Sequence, residues 1–127
     1  MALPTIPPEL WGRDHWSFLA FATTRVGEGG SLPADGRLRL DGARHPTRLQ
    51  TGAVVYNHND LDCLSDLEHA GVLRNTGSRI LPRVQFTPMG LVLGQWLCAG
   101  LADQTIRTSG LTWTHALQAS GADKVHP

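Results

Sequence analysis

Hydrophobic and polar positions are patterned most clearly over residues 60–97. Leu61, Leu64 and Leu67 recur at three-residue spacing and make one apolar stripe of a helix over 60–70. Asn59 or Asp60 can cap that helix by accepting a hydrogen bond from a free amide of its first turn. Asp60 and Asp62 lie near the positive end of its dipole. Gly71 suits the left-handed position that ends a helix. Val72 and Leu73 then start a strand, residues 75–78 carry turn chemistry, and residues 80–86 read as the returning strand. Pro82 cannot donate to a ladder, which predicts an edge position. Thr87 as cap and Pro88 at the first helical position open a helix over 88–102.

That last helix is apolar almost all round, with Gln95 as its main polar interruption. It must be buried on most of its circumference. The N-terminal segment, the C-terminal tail or a second subunit can supply the cover. The expectation is a homodimer with Leu93, Trp96 and Leu97 at or near the interface.

The flanking sequence is less regular. Residues 1–10 carry three prolines and read as an extended N-terminus. Trp11 and Trp16 flank a short polar stretch in which Asp14 is a fair helix cap, and they suit either the core or a binding patch. Phe18, Phe21, Ala22 and Arg25 have helical spacing, so a helix is expected over 17–25. Gly27, Gly29 and Gly30 break it and lack the Gly-Lys-Ser/Thr of a phosphate loop. Residues 31–41 suggest a hairpin turning at Asp35 and Gly36. Residues 47–52 fit a short helix or a loop, and 53–56 are too short to classify. Leu111, Trp113 and Leu117 can form a short packing segment, and residues 120–127 are expected to be disordered. The whole chain, 1–127, reads as a single α+β domain, winged-helix-like, with a small β hairpin.

The Leu-x-x-Leu spacing within 61–67, Ala70-Gly71-Val72-Leu73, a turn with basic residues, and Val84-x-Phe86-Thr87-x-x-Gly90 resemble winged-helix regulators of the MarR type. That resemblance implies that the helix over 60–70 enters the major groove and that the following hairpin is the wing. A standard winged helix would have a further helix before residue 60, which the sequence shows poorly. Residues 5–17 and 58–64 also resemble a group of short bacterial proteins associated with mobile elements, a likeness that implies no activity.

Composition narrows the partners. Eleven basic and eleven acidic side chains cancel, so no overall field draws the chain to nucleic acid or membrane. Four Arg and one Asp lie in residues 37–48, four acids and no base in 60–68, and three Arg and no acid in 74–83. The wing arginines Arg74, Arg79 and Arg83 can contact phosphates, weakly and with salt sensitivity. No apolar run reaches the ~20 residues of a membrane span, and no signal peptide is evident. A cytoplasmic location is expected, with Cys63 and Cys98 reduced, buried and slow to react.

On a helical wheel Asp62, Ser65, Asp66 and His69 share one face opposite the leucines, and that face is expected to meet solvent and a partner. Asp62, Asp66 and His69 are weak metal candidates, with His45, His58 and Asp60 approaching from loops. Ser65 with His69, and Cys63 with His58, lack anything that would orient a catalytic base. The reading is therefore a non-enzymatic module without a cofactor, binding a protein partner through an acidic helix face. The alternatives are a DNA-binding transcriptional regulator and a metal-dependent protein or enzyme. If the fold is winged-helix, the helix over 60–70 should not read bases, because Asp62 and Asp66 face the phosphate rows without one Arg or Lys.

Overall fold

The computed structural model describes residues 5–32, 36 and 38–125. Among these, the chain runs α1 (Arg13–Val26), β1 (His45–Arg48), β2 (Val54–His58), α2 (Asp60–His69), β3 (Leu73–Asn75), β4 (Val84–Phe86), α3 (Pro88–Ala102) and α4 (Trp113–Ser120). The fold is α+β. Its strands form two separate antiparallel hairpins, β1–β2 and β3–β4. The segment after α1 extends the second hairpin: Ser31 bridges to Gln85, and the Phe86 amide donates to the Gly30 carbonyl at 2.7 Å.

The run over 60–102 forms as its sequence predicts at most positions. Asn59 caps α2 in a reciprocal box with Asp62: each side chain accepts from the other's amide, at 3.1 and 3.0 Å. Gly71 is left-handed at φ 78. Thr87 caps α3 at the Gly90 amide, and Pro88 stands at the helix start. The returning strand is shorter than expected and begins at Val84. Residues 76–83 instead make a loop, in which Asn75 Oδ1 accepts from the amides of Gly77 and Arg83.

Two other segments differ from expectation. Residues 45–58 form the β1–β2 hairpin, where a standard winged helix would place a helix. Helix α1 begins at Arg13, with Gly12 rather than Asp14 at its cap. A Cβ on Gly12 would lie 1.7 Å from the Arg48 carbonyl oxygen, so α1 starts hard against β1. Asp14 is used elsewhere and accepts from the Thr47 hydroxyl. The expected turn at Asp35 lies outside the described residues.

Helix α3 is covered within the chain. One side packs on α1, where Gly94 meets Thr23. Another is covered by α4 and the short helical turn Ala122–Lys124, whose Ala122 is buried. The tail past Ser120 is thus ordered as far as Val125 rather than free, because it caps an apolar helix. Leu93 and Leu97 are fully buried, and Trp96 is half-buried with its ring edge toward His115. Leu93 and Leu97 are therefore monomer core and not a dimer surface. Trp11 and Trp16 are core as well, packed edge-on to each other at 5.1 Å, with Trp113 5.1 Å from Trp11. Among the described residues no helix is long and apolar enough to cross a membrane.

Candidate functional site

The acidic face expected of α2 is only partly there. Asp66 is 4% exposed and points into the core. Its Oδ1 accepts from the Ile6 amide at 3.0 Å, and its Oδ2 lies 2.8 Å from His15 Nε2 and 3.2 Å from His58 Nε2. The N-terminal segment and α1 fold over this side of the helix, so the face predicted to meet solvent becomes a buried contact. Asp62 is spent in the capping box and lies 3.8 Å from Arg44. Asp60 accepts from the Asp41 amide. Ser65 is half-buried, and its carbonyl accepts from Nδ1 of exposed His69. Asp62, Asp66 and His69 therefore do not converge into a metal set. His45 is exposed, its ring bonded to the Pro46 carbonyl.

What the fold does bring together is His15, His58, Cys63 and Asp66. His15 comes from the buried stripe of α1, in register with Leu19, Ala22 and Val26. Cys63 and Asp66 come from α2. His58 ends β2, and its direction depends on one backbone feature. Tyr56 is 67% exposed and His58 only 1%, although alternate residues of a regular strand share a face. The ladder is irregular between the pairs Thr47–Val55 and His45–His58, and Asn57 is left-handed at φ 60. This bulge turns His58 inward.

The contacts to Asp66 assign the Nε2 hydrogens. An ionised carboxylate only accepts, so both histidines donate their Nε2 hydrogens to Asp66. In a ring that carries only this Nε2 hydrogen, Nδ1 holds the lone pair. In His58 it lies 3.7 Å from Cys63 Sγ. In His15 it is buried with no hydrogen-bond partner among the described residues. Trp11 stacks flat on the His15 ring, with centroids 5.5 Å apart. Burial alone would raise the Asp66 pKa, but the bonds from His15, His58 and the Ile6 amide outweigh it and lower the value.

Cys63, His58 and Asp66 are connected in the order of a thiol, base and orienting acid, so the Cys63–His58 pair has in Asp66 the orienting group that the sequence did not show. The environment opposes a reactive thiolate. Burial pushes the thiol pKa strongly upward, and Asp66, Asp60, Asp14 and Asp62 add to the effect. A cleft of about 380 Å³ reaches Cys63 and is lined also by Asp14, Asp41, His45, Asp60 and Arg39. His15 precedes the helix expected over 17–25, so no periodicity assigned it to a buried face; α1 starts at Arg13 and carries it there.

The β3–β4 loop carries a second feature. Arg74 and Arg79 are exposed and Arg83 half-buried. Ile80 is 88% exposed and Leu81 47%, at the loop tip. They overhang a cleft of about 600 Å³ lined also by Leu40, Leu61, Pro82, Arg39 and Asp41. No family model, curated protein or solved structure matches this chain.

Proposed function

We propose that the chain is a small non-enzymatic interaction module of the cytoplasm that binds a protein partner through the cleft between the β3–β4 loop and the start of α2. The carrying observation is the exposure of Ile80 and Leu81 above that cleft. Burying one such side chain is worth about 1.5–3 kcal/mol, so an apolar tip standing in water favours a partner that covers it. Arg39 and Arg79 on the rim suit an apolar segment flanked by acidic residues. The contact surface thereby moves from the outer face of α2, where Asp66 is buried, to its amino-terminal edge.

A DNA-binding reading has its own support. The order α2–β3–β4–α3 and the pairing of Gly30–Leu32 along β4 agree with a winged helix. Arg74 and Arg79 are exposed on the wing. Against it stand the β1–β2 hairpin in place of a helix and an α2 surface that offers Asp62 and Glu68 without an Arg or Lys.

One paired experiment separates the two. Wild-type and Ile80→Asp proteins are used to capture partners from a bacterial extract, and both are titrated against randomised duplexes at physiological salt. The protein-binding reading expects a specific protein retained by the wild type and lost with Ile80→Asp, and no enriched duplex. Enrichment of one duplex motif, lost on Arg74→Ala or Arg79→Ala, would replace it with the DNA reading.

A further inference from the structure

We propose that His15, His58 and Cys63 form a binding site for one thiophilic divalent cation, zinc foremost. The site is independent of the wing and of any partner there. One ring nitrogen of each histidine and Cys63 Sγ all lie within 4.8 Å of one another, and all three residues are buried. They come from three different elements, so the packing of the domain holds them in place rather than a loop. His58 Nδ1 and Cys63 Sγ are 3.7 Å apart. Two ligands at about 2.0–2.1 Å (nitrogen) and 2.3 Å (sulfur) on one tetrahedral zinc are about 3.6 Å apart.

The surroundings are those of a metal ligand set. Asp66 takes the Nε2 hydrogens of both histidines, at 2.8 and 3.2 Å. A carboxylate on the far ring nitrogen fixes the tautomer of a ligating histidine and raises its basicity. His15 Nδ1 is also buried without a hydrogen-bond partner among the described residues, a costly state in a folded chain. Asp14, Asp41 and Asp60 line the cleft that leads to Cys63 and would draw a cation inward. Two imidazoles and one sulfur favour zinc over magnesium or calcium, which prefer oxygen. Binding breaks the Cys63 S–H bond, forms the sulfur–metal bond and releases the proton to solvent. Three protein ligands leave the fourth tetrahedral position to water or to a group entering from the cleft.

The test uses the full, untagged chain, refolded under reducing conditions with cobalt(II) and then desalted. The expected result is one retained cobalt per chain, with a thiolate-to-cobalt absorption band and the visible bands of tetrahedral cobalt, all displaced by zinc. Cys63→Ser should lose the thiolate band while keeping its far-UV circular dichroism, and Cys98→Ser should keep the band. Asp66→Asn should weaken binding by about 10- to 100-fold, as expected of a group acting through the ligands. Zinc should also raise the melting temperature of the wild type, a readout that needs no variant. Refolded wild type that retains no cobalt overturns the proposal. So does a thiolate band that survives Cys63→Ser, or cobalt held without such a band by exposed histidines.

Discussion

Asp66 ties the N-terminal segment, α1 and β2 to α2. Three donors converge on its carboxylate, and its burial leaves them no alternative acceptor. Asp66→Ala should cost about 3 kcal/mol or more, because it leaves buried donors unpaired. Asp62→Ala, which removes one side of an accessible capping box, should cost about 1 kcal/mol. Urea denaturation of both variants checks the ranking. The pH dependence follows from the same contacts. The Asp66 pKa lies below its ordinary 3.8 in the folded chain. Its contribution to stability is therefore complete above that ordinary value and lost as pH falls through the lowered one. Denaturation midpoints of chelator-treated protein should fall on acidification through that window, and those of Asp66→Asn should fall less.

At the scale of elements, close approach and a single bulge position the site. Gly90 stands where a Cβ would lie 1.7 Å from the Val72 carbonyl oxygen, so the start of α3 rests on the chain leaving α2. Gly90→Ala should destabilise by about 2 kcal/mol through forced displacement. Gly29→Ala, at a position with open space around it, should stay within about 0.5 kcal/mol. Asn57 is the other sensitive point. Asn57→Gly should be tolerated, whereas Asn57→Val should cost roughly 1–2 kcal/mol, because a β-branched residue resists the left-handed backbone. It should also release His58 from the core. Thermal melts, with the NMR signals of the His58 ring, test both effects.

For the molecule as a whole, α3 is the central helix and the tail is part of its cover. Truncation after Asp103 removes α4 and the Ala122 turn, and with them Trp113 against Trp11 and Trp16. The shortened chain should lose cooperative unfolding and bind a hydrophobic dye. Leu93→Asp or Leu97→Asp should unfold the monomer rather than dissociate a dimer, since both side chains are fully buried within one chain. Circular dichroism alongside sedimentation distinguishes the outcomes: folded monomers produced from a wild-type dimer would contradict this placement.

Local chemistry determined what was legible in the amino-acid order. The α2 cap, which the sequence left between Asn59 and Asp60, the left-handed Gly71, the Thr87-Pro88 start and the bounds of α3 each depend on a few neighbouring residues, and the structure has them within what the sequence allowed, with α2 ending one residue before the expected 70. The site was not legible for a related reason. A helical wheel tells which residues share a face, but not which other element covers that face. Asp62 and Asp66 look alike one turn apart, yet Ile6, His15 and His58, distant in sequence, bury only the second. The inward turn of His58 rests on a bulge that its strand's alternation conceals. The spacing of residues 15, 58 and 63 follows no local period, so only the packing of α1, β2 and α2 could bring two imidazoles and a thiol together.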